Sequence, residues 1–190
     1  MRNQRQDRPP LIVSPVPAHV LPQAARLWWA SFGTGRGAPP RMRADHGIVA
    51  LDAQGRVAGV MGLRDARGGF PARVPWAARI GFRAGPPTAD LIVDGIAVRD
   101  SRCGIGRALV RAAMARARAA GHPGLRAEVR AGNAGAVAFY RALGFATLAS
   151  LRFGWPWTGR VLILRRAVDA AAAAVEMAPE PEPQPRRAQR

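Results

Sequence analysis

The run Leu91-Ile-Val-Asp-Gly-Ile-Ala-Val98 is apolar and β-branched, and after five intervening residues Gly104-Ile-Gly106 opens an alanine-arginine segment that continues to Ala120. A buried strand, a tight glycine loop and an amphipathic helix in that order require a sheet to hold the strand and a helix laid across it. Leu109, Ala113 and Ala117, with Val110 and Met114, form one apolar stripe beside an arginine face, and Gly121-His-Pro-Gly124 stops the helix. The first N–H groups of such a helix have no partner inside it, and its dipole is positive there, so the loop is a socket for an anion. Glycine lets the backbone approach that anion closely.

The rest of the chain supplies partners for that unit. Leu11 to Ser14 predicts a short first strand, and Pro17 to Phe32 a helix turning Leu21, Ala24, Ala25, Leu27 and Trp28 inward. His46 to Asp52 and Arg56 to Leu63 are strand-like and joined by Ala-Gln-Gly, hence a hairpin. Residues 64–89 are rich in glycine and proline but carry Phe70, Val74, Trp76, Ile80 and Phe82, which suggests a packed loop or extra strand. Leu125 to Arg130 alternates as a strand, Ala134 to Leu143 is a second helix ended by Gly144, and Phe145 to Phe153 with Val161 to Arg166 form a closing antiparallel pair. This order of elements predicts an α/β fold with one mixed, mostly antiparallel sheet and helices on both faces.

The expected organisation is a single domain over residues 11–166, with a basic, disordered stretch at 1–10 and an Ala-rich, then Pro- and Arg-rich flexible tail at 167–190. The net charge of +17 comes from 29 arginines and no lysine, dispersed rather than clustered. Dispersed charge argues against a dedicated nucleic-acid surface, although it favours anionic ligands. Cys103 is the single cysteine, so an intrachain disulfide is excluded, and no Cys/His spacing for a metal exists. His19, His46 and His122 are expected at the surface or in turns. No apolar run approaches the roughly 20 residues that cross a bilayer, and Pro15 and Pro17 interrupt the only candidate leader core, so the cytoplasm is the expected location.

Asn133-Ala-Gly-Ala-Val-Ala-Phe-Tyr140 followed by Leu143-Gly-Phe145, downstream of Asp94-Gly-Ile-Ala-Val98 and Gly104-Ile-Gly106, resembles the acyl-coenzyme A site of the GCN5-related N-acetyltransferase family. The family's Asn-x-x-Ala-x-x-Phe-Tyr pattern is met by Asn133, Ala136, Phe139 and Tyr140. The resemblance implies acetyl-coenzyme A as cosubstrate and no metal. It implies that Ile96, Ala97 and Val98 hold the pantetheine arm by backbone hydrogen bonds, as in strand addition. Ser101, Arg102, Cys103, Gly104, Ile105, Gly106 and Arg107 then hold the pyrophosphate, with Asn133 and Tyr140 completing the coenzyme contacts. Two departures stand out: Ser101 occupies the place of the family's usual arginine or glutamine, and the stretch from Val98 to Gly104 is about two residues short, which leaves Arg102 to supply a cation. Cys103 reads as a loop residue because no histidine base is near it in sequence.

Tyr140 is the only tyrosine. A phenol with a pKa near ~10 stays protonated at neutral pH and can donate to a departing thiolate. Glu128, the only glutamate before the tail, precedes it by twelve residues, an arrangement similar to the ribosomal-protein alanine N-acetyltransferases, in which glutamate is the base and tyrosine the acid. An exposed strand residue paired with an arginine is the alternative for Glu128, and Asp94 is a second candidate base. The expected activity is acetyl transfer to a small-molecule amine or a peptide N-terminus by direct attack, in a monomer or homodimer. A noncatalytic acyl-coenzyme A sensor and a basic RNA- or ribosome-associated factor are the rival readings.

Overall fold

The computed structural model describes residues 9–33, 37–72 and 83–168. Residues 1–8 and 169–190 of the expected termini, and Val74, Trp76, Ile80 and Phe82, lie outside the described residues. The elements in chain order are β1 (Leu11–Val13), α1 (Leu21–Phe32), a 3-10 turn at Ala44–His46, β2 (Gly47–Leu51), β3 (Val57–Asp65), β4 (Gly68–Gly69), β5 (Leu91–Val98), α2 (Ile105–Ala119), β6 (Gly124–Arg130), α3 (Ala134–Ala142), β7 (Ala146–Arg152) and β8 (Arg160–Ala167). They build one sheet in the order β1-β2-β3-β5-β6-β8-β7, with β4 hydrogen-bonded to β3. Every pairing is antiparallel except β5 with β6.

Alternating residues of β2 divide the interior in two. Ile48 and Ala50 join the cluster under α2 and α3, with Leu109, Ala113, Val137, Tyr140, Leu125 and Leu164. Val49 and Leu51 join the cluster under α1, with Ala24, Trp28, Val60 and Phe70. With helices on both faces, all of β2 is buried, which explains its continuous apolar run. The α2 stripe is as expected, with Leu109, Val110, Ala113 and Ala117 buried and Met114 packed at the margin.

Some boundaries move for identifiable reasons. Helix α1 starts at Leu21 rather than Pro17, because Pro22 falls in the first turn and has no N–H to donate back into residues 17–20. Helix α2 starts at Ile105, so Gly104, not Gly106, is its N-cap, with φ of 74°. At Gly106 a Cβ would sit 3.2 Å from Phe139 Cζ, so that glycine serves the close approach of α3 to α2. Val168 is buried beyond the end of β8.

Candidate active site

The parallel pairing of β5 and β6 covers only Leu91–Val93 against Leu125–Ala127. Beyond it each strand keeps its outer partner: β5 stays with β3 as far as Val98 opposite Gly59, and β6 stays with β8 as far as Arg130 opposite Val161. The facing edges of Ile96–Val98 and Glu128–Arg130 therefore part, leaving strand edges without a partner between them among the described residues. A bulge starts the divergence. Gly62 pairs with Gly95 and Leu63 with Val93, so Asp94 is extra, and Gly95 takes φ of 154° beneath the Phe32 ring.

At one end of this gap stands the N-terminus of α2. Ser101, Arg102, Cys103 and Gly104 are exposed, and Arg102 adopts φ of 66°, rare for a residue with a side chain. Among the described residues no side chain caps α2, and no acidic residue lies in its first turn, so its first N–H groups and the positive end of its dipole are open to an anion. Ile105 is buried and anchors the loop, while Arg107 is exposed beside it. Cys103 is an exposed loop thiol whose Sγ lies 3.6 Å from the Ser101 carbonyl oxygen. These features fit a diphosphate, and the parted strand edges fit an extended amide chain.

On the α2/α3 face of the sheet, α3 packs on β6, and its Tyr140 joins the core there. Tyr140 is only 6% exposed and meets the rings of Phe139 and Phe145 edge-on, with centroids 5.2 and 5.1 Å away. Burial pushes its phenol well above the ordinary range, so it stays protonated. Its hydroxyl makes no hydrogen bond among the described residues. Asn133 caps α3, its side-chain oxygen accepting from the Ala136 N–H at 3.1 Å; this explains the residue by helix geometry and leaves only its amide NH₂ for a ligand.

The opposite face carries a charged floor. Glu128 and Arg126 alternate with the core-facing Ala127 and Val129, so both point to the α1 side. The Arg64 guanidinium joins the two candidate bases, with Nε donating to Asp94 Oδ1 at 2.8 Å and Nη2 to Glu128 Oε2 at 3.3 Å. Arg126 is 3% exposed; its Nη1 donates to the Pro86 carbonyl at 2.9 Å, and its Nη2 lies 2.7 Å from Glu128 Oε1 as an ion pair without hydrogen-bond alignment. Burial raises the Asp94 carboxyl above its ordinary range despite the pull of Arg64. Two glycine segments border these groups: a Cβ at Gly69 would lie 2.6 Å from Asp94 Oδ2, and one at Gly85 would lie 3.0 Å from both Glu128 Oε1 and Phe153 Cε2. The described ends of the 64–89 segment thus pack on the carboxylates, with Arg83 and Gly154 exchanging both backbone hydrogen bonds. A surface groove lined by Leu21, Pro22, Ala25 and Met42 shares no residue with this floor.

His46 departs from expectation. It is 2% exposed, not a surface residue, and its Nε2 is 3.0 Å from Asp65 Oδ1. Folding places it at the junction of the 3-10 turn and β2, under the end of β3, which local sequence does not indicate. His19 is exposed, and His122 contacts the Ala89 carbonyl at 2.8 Å. Among the described residues no cluster of three or more His, Cys, Asp or Glu is arranged to hold a metal, and no helix is long and apolar enough to cross a membrane.

The model of the acetyltransferase (GNAT) family matches residues 14–145. The chain belongs to the GNAT acetyltransferase family. Solved structures share its GNAT fold at low identity. Ard1 from Thermoplasma volcanium is 21% identical, with a TM-score of 0.58 and coverage of 85% of this chain and 99% of that one. The ribosomal-protein-S18-alanine N-acetyltransferase from Escherichia coli is 20% identical, with a TM-score of 0.52 and coverage of 84% and 94%. YncA from Salmonella typhimurium, a structure holding acetyl-coenzyme A, is 14% identical, with a TM-score of 0.57 and coverage of 92% and 99%. The chain also spans 65% of the length of a nourseothricin acetyltransferase, 26% identical, with a TM-score of 0.47. Comparison with curated proteins finds no match.

In this GNAT protein, Arg64 and Arg126 are the charged residues that sequence reading passes over. Arg64 ends an apolar strand in Leu63-Arg64-Asp65 and Arg126 interrupts another in Leu125-Arg126-Ala127, breaks in pattern that mark them as unusual without naming their partners. Membership of the family supports acetyl transfer in general.

Proposed function

We propose that this chain is an acetyl-coenzyme A-dependent N-acetyltransferase acting on a primary amine, of a small molecule or a peptide N-terminus, by direct attack in a ternary complex. The observation that carries this reading is the gap between β5 and β6. Asp94 and Glu128 come from the two strands that part there and their carboxylates lie on the α1 side of the sheet, whereas Tyr140 belongs to the core on the α2/α3 side; in this proposal both sides address a reacting centre in the gap.

Bound acetyl-coenzyme A supplies an activated acetyl thioester. The backbone from Ser101 to Arg107, with the arginines at 102 and 107, suits its diphosphate, and the free edge at Ile96, Ala97 and Val98 suits its pantetheine amides. Glu128 or Asp94 accepts the proton that an ammonium must lose before its nitrogen can attack. Asp94, with its raised proton affinity, is as well suited to this as Glu128. Tyr140 holds its proton at neutral pH and donates it to the departing sulfur.

A thiol-release assay with acetyl-coenzyme A against amines and short peptides tests the reading, run beside Tyr140→Phe. Turnover on at least one amine, reduced by about 10²-fold in the variant, is the expected result for a lost general acid. Full activity of the variant removes Tyr140 from the acid role. Binding of the thioester without turnover on any acceptor favours a sensor instead.

A further inference from the structure

Arg64 has no part in the mechanism above, yet it sits at its centre. Two carboxylates from neighbouring strands, Asp94 and Glu128, are bridged by this one guanidinium at 2.8 and 3.3 Å. The two cations of the floor differ sharply in freedom: the Arg64 side chain is 43% exposed, that of Arg126 only 3%. Glu128 does not depend on Arg64 alone, because it keeps Arg126 at 2.7 Å when Arg64 leaves. With Arg64 gone, the floor of Asp94, Glu128 and Arg126 carries one uncompensated negative charge.

We propose that Arg64 is an internal stand-in for the acceptor: its guanidinium fills, between Asp94 and Glu128, the place of the acceptor's cationic amine, and swings aside when that amine binds. The identity of the displacing group as an acceptor rests on the acetyl-transfer reading; the displacement does not. Acceptors are then selected as cations, because a neutral or anionic molecule gains nothing by expelling Arg64. Departure of Arg64 also leaves Asp94 buried without its cation, better able to take the ammonium proton from nitrogen to a carboxylate oxygen.

The test is calorimetry on the full chain with methylguanidinium and n-butylammonium as probes, and acetate as the anionic control. Arg64→Met and Arg64→Gln are expected to bind both cations at least about tenfold more tightly than the parent, and adding Glu128→Gln is expected to abolish the gain. Equal cation binding in parent and variants overturns the proposal. Acetate binding that falls in the variants while cation binding stays constant also overturns it, and makes Arg64 a grip for an anionic group. Should the uncharged variants fail to fold, Arg64→Lys, too short to span both carboxylates, is expected to show part of the gain, and its absence there counts against the proposal. Acetyl-coenzyme A titrated into the same samples separates the two readings: failure to bind it sinks the acetyltransferase reading and leaves the cation result intact.

Discussion

Raising the pH through the ordinary phenol value tests whether Tyr140 is a buried acid. Being the only tyrosine, it alone supplies the chain's tyrosinate signal. In the unfolded chain its phenol ionises near ~10; in the folded protein burial holds it protonated to higher pH. A folded pKa above the unfolded one contributes stability that is complete below pH ~10 and lost as the pH climbs beyond it, at about 1.4 kcal/mol per pH unit. Two units of alkali therefore remove about 2–3 kcal/mol through this one residue, a large part of a typical stability of about 5–15 kcal/mol. Tyrosinate absorbance followed together with far-ultraviolet circular dichroism is expected to rise only as the helix signal collapses, and Tyr140→Phe is expected to unfold at higher pH. A reversible phenol titration near ~10 with the circular dichroism unchanged would refute the reasoning. It would place the hydroxyl in water and weaken its claim to be the acid.

Glu128→Ala leaves the buried Arg126, among the described residues, with only the Pro86 carbonyl, a loss expected to cost about 2–4 kcal/mol in urea titration, and Arg126→Met added to it is expected to restore most of that. Asp65 is pulled up by burial, but hydrogen bonds from His46 and Arg67 outweigh this and hold it at about 2, against an ordinary 3.8. Its contribution, about 2 kcal/mol, is present above pH 3.8 and lost as the pH falls toward 2, so thermal unfolding of Asp65→Asn is expected to show a flatter acid slope than the parent. Gly59→Ala places a Cβ 2.6 Å from Ile105 Cγ2 at the start of α2, and is expected to cost about 1–3 kcal/mol and to weaken acetyl-coenzyme A binding several-fold by calorimetry.

The local sequence determined a great deal of this protein. Periodicity placed β5, α2, β6 and α3 to within a residue or two, because the apolar spacing of each is written in its own contiguous residues, and the Asn133-to-Tyr140 string pointed to the family. Local rules failed where a remote partner decides the outcome. Pro22 delayed α1 through a missing donor, which is legible in sequence, but the burial of His46 depends on Asp65, nineteen residues away. The charged floor is a matter of tertiary structure altogether. Arg64 meets Asp94 and Glu128 across thirty and sixty-four residues, and the two carboxylates come from β5 and β6, strands that the sheet pairs only at Leu91–Val93 and Leu125–Ala127. Backbone conformation follows from neighbours in the chain, whereas the pairing of buried charges depends on which strands the whole sheet brings side by side.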